Sequence, residues 1–236
     1  YTAAKAPADA TMEQRIRYQN LGLSFVMYAQ GVPFFHAGSD MLRSKSGDND
    51  SFNSGDWFNN IDFNYQTNNW GRGLPPAWAN NNESRWPIWG PLLADPALMP
   101  TSDDIMANVN AFRDMLQVRY STPLFRFRTA DDVIQRVAFH NTGPDQLPGV
   151  IAMSVSDMGE GPTDLDPAHD MLVVVFNTTL DEVGVTEDAV AGLEFELHPV
   201  LADGSDDVVK NASYNAETGT FTVPGLTTAV FVLPQS

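Results

Sequence analysis

The chain contains no cysteine, which excludes a disulfide framework, a thiolate zinc centre and a cysteine nucleophile. It has no long hydrophobic run either. Stretches such as Val150–Val155 and Leu172–Phe176 fall far short of the ~20 apolar residues that a membrane-spanning helix requires. Positive charge is scarce: 13 Lys and Arg stand against 30 Asp and Glu, a net of −17. Such a field repels a phosphate backbone, so nucleic acid is excluded as a partner. No basic–apolar–small-residue leader and no initiating Met open the sequence, and Tyr1 is read as an internal or processed start. What is present is ample for folding. The 236 residues, 43% hydrophobic and 18% charged, describe one large domain or two modest ones rather than a disordered chain.

Charge and aromatics are unevenly placed. Residues 1–144 carry 12 basic and 14 acidic side chains, whereas residues 145–236 carry one basic residue, Lys210, and 16 acidic ones. A step from −2 to −15 marks two regions with different surfaces. All five Trp (Trp57, Trp70, Trp78, Trp86, Trp89) fall within 33 residues, among Asn, Gly and Pro. With no helical or strand period there, the spacing predicts a long ordered loop over 40–100, with one helical turn near Asp40–Arg43, the kind of segment that usually carries function. Indole faces stack well on the C–H faces of sugar rings, although any one of these Trp also serves as a plug of the loop onto its own domain.

The periodicity predicts a helix over 12–30, with Thr11 and Gln14 as a capping box, Ile16, Leu23, Val26 and Met27 as its apolar stripe, and Gly31 as its stop. Val32–His36 reads as a short buried strand closed by Ala37-Gly38. A second helix is predicted over 103–119, capped by Ser102 or Asp103, with Pro123 beyond it. After Pro123 the period changes to two. Strands are predicted at Phe125–Arg128, Val133–His140, Val150–Val155, Met171–Phe176, Leu193–Val200, Val208–Tyr214, Thr218–Val223 and Ala229–Leu233. Eight short strands with turn signals between them imply an antiparallel β-sandwich. The fold class is therefore α/β plus all-β. One αβα segment cannot be a domain, because a parallel strand needs neighbours on both sides; the first region must complete something whose other strands lie elsewhere.

The loop after Val32–His36 holds Asp40, Asp48, Asp50, Asp56 and Asp62 with Arg43 and Lys45. Loops beyond strand ends are where α/β folds place their sites, and carboxylates suit sugars both as acid–base groups and as acceptors of paired hydroxyls. For Asp48 and Asp62 a turn-forming role is the plainer reading. His36 either faces a cleft or is packed and hydrogen-bonded. His140, His169 and His198 are read as structural, too scattered for a zinc site.

The segments Gln30-Gly31-Val32-Pro33-Phe34-Phe35-His36-Ala37-Gly38, Leu42-Arg43-Ser44-Lys45-Ser46, Asn53-Ser54-Gly55-Asp56-Trp57-Phe58-Asn59, Gly73-Leu74-Pro75-Pro76, Ser121-Thr122-Pro123-Leu124-Phe125-Arg126, Phe139-His140-Asn141-Thr142-Gly143-Pro144 and Thr227-Thr228-Ala229-Val230-Phe231-Val232 occur in fixed order. Together they closely resemble the pullulanases and plant limit dextrinases, α-1,6-glucan debranching enzymes of the α-amylase superfamily, from about Lys5 to the C-terminus. The resemblance implies that residues 1–121 are the C-terminal part of a catalytic (β/α)8 barrel: its seventh helix at 12–30, eighth strand at Val32–His36, substrate loop, and eighth helix at 103–119. It implies that residues 122–236 are the family's C-terminal β-sandwich domain.

The resemblance further implies a retaining hydrolase of branched α-glucan (pullulan, amylopectin, limit dextrin). Its catalytic Asp, Glu and Asp belong to earlier barrel strands, so no catalytic residue is assigned in this chain; the family's His-Asp pair falls just before Tyr1. The Arg-Asp pair that precedes a Ser-Tyr step in the family matches Asn49 and Asp50 here, which are the candidate sugar contacts. Asn49 lacks the charged donor fork of Arg, and Phe52 replaces the Tyr. Arg43, Asp56 and Trp57 are expected to support the loop. No cofactor is required and no metal ligand is assigned, with calcium left open at the Asp203–Asp207 loop. The expected partner is the N-terminal remainder of the same enzyme. The expected location is secreted or periplasmic in a bacterium and the plastid in a plant. The competing reading is a non-catalytic carbohydrate-binding β-sandwich module, which has no use for a lone barrel strand.

Overall fold

In a computed structural model of the protein, which describes residues 2–158 and 164–235, the helices begin where capping chemistry places them. After one turn, α1 (Thr2–Lys5), the long α2 (Met12–Tyr28) starts at a complete capping box. Thr11 N donates to Gln14 Oε1 at 3.0 Å, and Gln14 N donates to Thr11 Oγ1 at 3.2 Å. The apolar stripe differs slightly from expectation: Leu21, Leu23, Met27 and Tyr28 are buried with Ile16, whereas Val26 is exposed. The other long helix, α5 (Ser102–Ser121), is capped one residue earlier than predicted. Thr101 and Asp104 exchange the reciprocal bonds, because a Thr three residues before an acid satisfies two free N–H groups at once.

The chain forms two compact units, Tyr1–Asn20 with Phe35–Asn110 and Leu21–Phe34 with Ala111–Ser236. The first has a small core of Met41, Ile105 and Val109, joined by Leu42, Ile61, Tyr65 and Met106. The predicted loop over 40–100 is ordered but not free of helix: it contains α3 (Asp56–Asn59) and α4 (Trp86–Ala94). In α4 Pro87 sits in the first turn, where its missing N–H costs nothing, and the helix continues through Pro91.

The second unit is the sandwich. Its large sheet has the order β1 (Val137–His140), β2 (Val150–Ser156), β3 (His169–Asn177), β8 (Thr227–Pro234), β5 (Glu196–Leu197). Its small sheet has the order β4 (Val183–Thr186), β7 (Thr220–Val223), β6 (Ser213–Asn215). Every pairing among the described residues is antiparallel. Leu172–Phe176 in β3 and Ala229–Val232 in β8 are buried throughout, as unbroken apolar runs in the middle of a covered sheet should be. The two sheets meet through Phe221 and Phe231, 5.0 Å apart, with Phe195 and Tyr214 around them. On the opposite face of the large sheet the second half of α2 docks: Phe25 stacks on Phe176 at 4.6 Å, and the Ser24 and Thr228 hydroxyls bond at 2.7 Å.

Several predicted strands are corrected. Val32–His36 forms no strand, and Val32 and Phe34 are 93% and 88% exposed; a strand exists only where a neighbour completes its ladder, and no described segment pairs with it. Phe125–Arg128 is a turn. The first half of Val133–His140 is helical, α6 (Ala130–Arg136), because the Thr129 side chain accepts from Asp132 N and outweighs the β-preference of Val133 and Ile134. Leu193–Val200 pairs only at Glu196–Leu197 before His198 caps α7 (Pro199–Ala202), and Val208–Tyr214 begins as a 3-10 turn. The strand β4 was not predicted, since Gly184 interrupts its short run.

Candidate functional site

The carboxylates of the acidic loop divide into two groups. Asp48 is buried and fully engaged: Oδ1 accepts from Asp50 N at 3.1 Å and Asn82 Nδ2 at 3.3 Å, and Oδ2 accepts from Ser54 Oγ at 2.6 Å. Asp62 holds the N–H groups of Asn64 and Thr67 at 2.9 and 3.1 Å. Both are turn-formers, as the plainer reading of the sequence has it. Asp50 is exposed, and its carboxylate takes no hydrogen bond among the described residues, while its backbone carbonyl accepts from Asn80 Nδ2 at 2.9 Å. Asn49 beside it is exposed too.

A cavity of about 450 Å³ opens next to this pair, lined by Asn49, Asp48, His36, Arg43, Lys45, Arg15 and the indoles of Trp70 and Trp89 among others. Its floor depends on a glycine. Gly47 has φ +80°, and a Cβ there would lie 2.4 Å from the Trp89 ring, so no larger residue fits under the indole. Lys45 Nζ donates to Ser51 Oγ at 2.7 Å. Burial and the neighbouring Arg43 lower the Lys45 pKa, against the pull of Asp48 and Asp50. Burial, then Lys45 and Arg43, lower the His36 pKa as well, so the imidazole is favoured neutral. In an acidic chain, three cationic side chains, Arg15, Arg43 and Lys45, line this cavity beside the Asp48 carboxylate.

The predicted supporting residues behave differently from one another. Arg43 bridges the loop, its guanidinium donating to Ala37 O at 2.9 Å and to Asn59 O. Trp57 is 57% exposed, its ring anchored at the edge by Nε1 donating to Arg72 O at 3.2 Å and accompanied by the Arg72 guanidinium. Asp56 opens α3 and points to solvent, where its charge suits the helix N-terminus. The structure thus places Asn49 and Arg43 in the cavity wall, and Asp50, Asp56 and Trp57 outside it. Sequence reasoning did not single out Lys45, Trp70 or Trp89 for this wall; the clustering of Trp was the one available signal.

The histidines of the second unit are engaged. His140 bonds Glu187 Oε2 at 2.7 Å and Ser154 Oγ at 2.9 Å, and His169 bonds Asp166 Oδ2 at 2.9 Å. His198 Nδ1 accepts from Val200 N and its Nε2 meets Ser121 Oγ at 2.9 Å. Asp206 accepts from Val208 N and Asp207 from Lys210 Nζ, and among the described residues no three His, Asp or Glu gather to hold a metal ion. No described helix is long and apolar enough to cross a membrane.

Comparison with known proteins gives the arrangement its context. Residues 65–234 match the family model of alpha-1,6-glucosidases, pullulanase-type, C-terminal. The chain is 46% identical over 231 residues to the chloroplastic pullulanase 1 of Arabidopsis thaliana, covering 97% of this chain and 24% of that protein. It is 32% identical to a pullulanase of Klebsiella pneumoniae, covering 98% and 21%. Among solved structures, the maltotriose complex of the Klebsiella pneumoniae pullulanase PulA superposes with a TM-score of 0.90 at 31% identity, over 99% of this chain and 25% of that one. The chain spans about a quarter of the length of the relatives it matches.

Proposed function

This chain belongs to the pullulanase-type α-1,6-glucosidases, whose C-terminal region it matches, and on that premise we propose that the protein carrying it hydrolyses the α-1,6 branch linkages of α-glucans such as pullulan, amylopectin and limit dextrins. The observation that carries this reading is the 46% identity to a plant pullulanase along 97% of the chain. The hydrolysis is retaining, and the carboxylates that perform it lie outside residues 1–236. One feature supports that placement: Asp48 and Asp62 are engaged in turns rather than free to serve as the carboxylate pair that a retaining mechanism needs.

The role of the first region is to finish a barrel and to hold sugar. Residues 12–28, 32–36 and 102–121 supply the last helices and strand of a (β/α)8 barrel whose other strands lie elsewhere in the protein. The exposure of Val32 and Phe34 supports this reading: extended apolar residues in water gain burial and a backbone ladder when neighbouring strands flank them. Asn49 and Asp50 then sit in the loop beyond that strand and hydrogen-bond glucose hydroxyls. The compartment belongs to the same reading: outside the cytoplasm in a bacterium, or the plastid in a plant. The full-length protein incubated with pullulan should release maltotriose, the unit between successive α-1,6 bonds. Products cut at α-1,4 linkages instead would overturn the reading.

A further inference from the structure

A second loop of the first unit is fastened to the one that carries Asn49 and Asp50. Asn80 Nδ2 donates to Asp50 O at 2.9 Å, and Asn82 Nδ2 donates to Asp48 Oδ1 at 3.3 Å and to Pro76 O at 3.2 Å. The loop itself is stiff by its sequence. Pro75 and Pro76 fix their φ angles, and the Trp86 indole N–H donates to Pro75 O at 2.9 Å. Two successive turns follow, Ala79 N to Pro76 O and Asn82 N to Ala79 O. Asn80 and Asn81 take φ of 46° and 59°, a conformation that Asn tolerates better than other side chains. Ala79 and Asn82 are buried, which anchors the loop from beneath.

On this fixed loop Trp78 is 69% exposed, and its indole N–H has no hydrogen bond among the described residues. Phe52, two residues beyond Asp50, is 80% exposed. Two large aromatic faces are thus held in water by short, hydrogen-bonded loops that also display a free amide and a free carboxylate. We propose that Trp78, together with Phe52, forms a stacking surface for an α-1,4-linked glucose chain whose hydroxyls are taken by Asn49 and Asp50. A pyranose ring in its chair form presents C–H groups on its faces and hydroxyls around its rim. Aromatic faces suit the former, and amide and carboxylate groups the latter. Because the loop is already ordered, binding loses little conformational entropy. The proposal rests on the reading of this protein as an α-glucan debranching enzyme and extends its sugar contacts to Trp78.

The test uses the full-length protein and linear maltotetraose, which has no α-1,6 bond to cut, so binding is read apart from hydrolysis. Calorimetry should show maltotetraose binding weakened about ten-fold by Trp78→Ala and largely kept by Trp78→Phe. The KM for a branched maltooligosaccharide should rise by the same factor with kcat unchanged, as loss of a contact made equally in ground and transition states requires. Unchanged maltotetraose affinity in Trp78→Ala overturns the proposal, as does a wild-type protein that cuts pullulan yet does not bind maltotetraose. A lowered melting temperature in both variants without any loss of affinity assigns the indole to packing and overturns it as well. Trp78-dependent maltotetraose binding in a protein that leaves pullulan uncut would uphold the surface and overturn the debranching reading.

Discussion

Asp48 and Asp50 are two residues apart and carry the same group, yet only one is free to meet a ligand. The first is buried and holds three donors, whereas the second faces water. On the proposed debranching reading, Asp50→Ala in the full-length protein should raise KM on short branched substrates through the loss of a charge-assisted hydrogen bond, roughly 1.5–3 kcal/mol, and leave kcat intact; unchanged kcat/KM would make Asp50 a turn residue. His198 shows the same contrast between sequence and surroundings. It is buried with Nδ1 accepting from Val200 N. Burial, and then His169, push its pKa from 6.5 down to about 4. The unfolded chain therefore binds this proton first as pH falls. Stability is complete above pH 6.5 and declines between 6.5 and about 4, by about 3 kcal/mol. Asn keeps the capping acceptor without titrating, so His198→Asn should flatten this part of the acid limb in urea unfolding. An identical pH slope in the variant would remove His198 from the account.

Elements were legible where their signals are local. The Thr11–Gln14 box announces α2 because both partners lie within one turn, and the apolar runs of β2, β3 and β8 announce a covered sheet. Val32–His36 failed for the opposite reason, since a strand exists only where a neighbour completes its ladder and no described segment supplies one. The end of α2 was equally hidden. Arg119, 92 residues after Met27, is buried and donates to the carbonyls of Met27, Ala29 and Gly31. It satisfies the acceptors that a helix C-terminus leaves free and places a cation at the negative end of the dipole. Arg119→Met should destabilise the full-length protein by about 3 kcal/mol. Arg119→Lys should recover little, because an ammonium lacks the planar fork. Chemical denaturation measures both, and a loss for Arg119→Met within ~0.5 kcal/mol would leave this cap without weight.

At the scale of the whole molecule, the division of labour follows from what the chain lacks. The β-sandwich region, with Lys210 as its one cation after residue 144, presents an acidic surface and histidines already engaged. The first unit presents a cation-lined cavity and exposed aromatics. The acidic, Trp-rich segment was legible as an ordered loop region, because it carries no sustained helical or strand period. Which of its side chains are free was not legible, because that depends on contacts such as Asn82 to Asp48 across 34 residues. The central claim is that residues 1–236 bind glucan while the carboxylates that cleave it lie outside them. Reducing-sugar release from pullulan by the purified 236-residue chain, run beside the full-length protein, tests it most directly. The account predicts release by the full-length protein and none above buffer by the chain alone; release by the chain, abolished by a substitution within it, would contradict it.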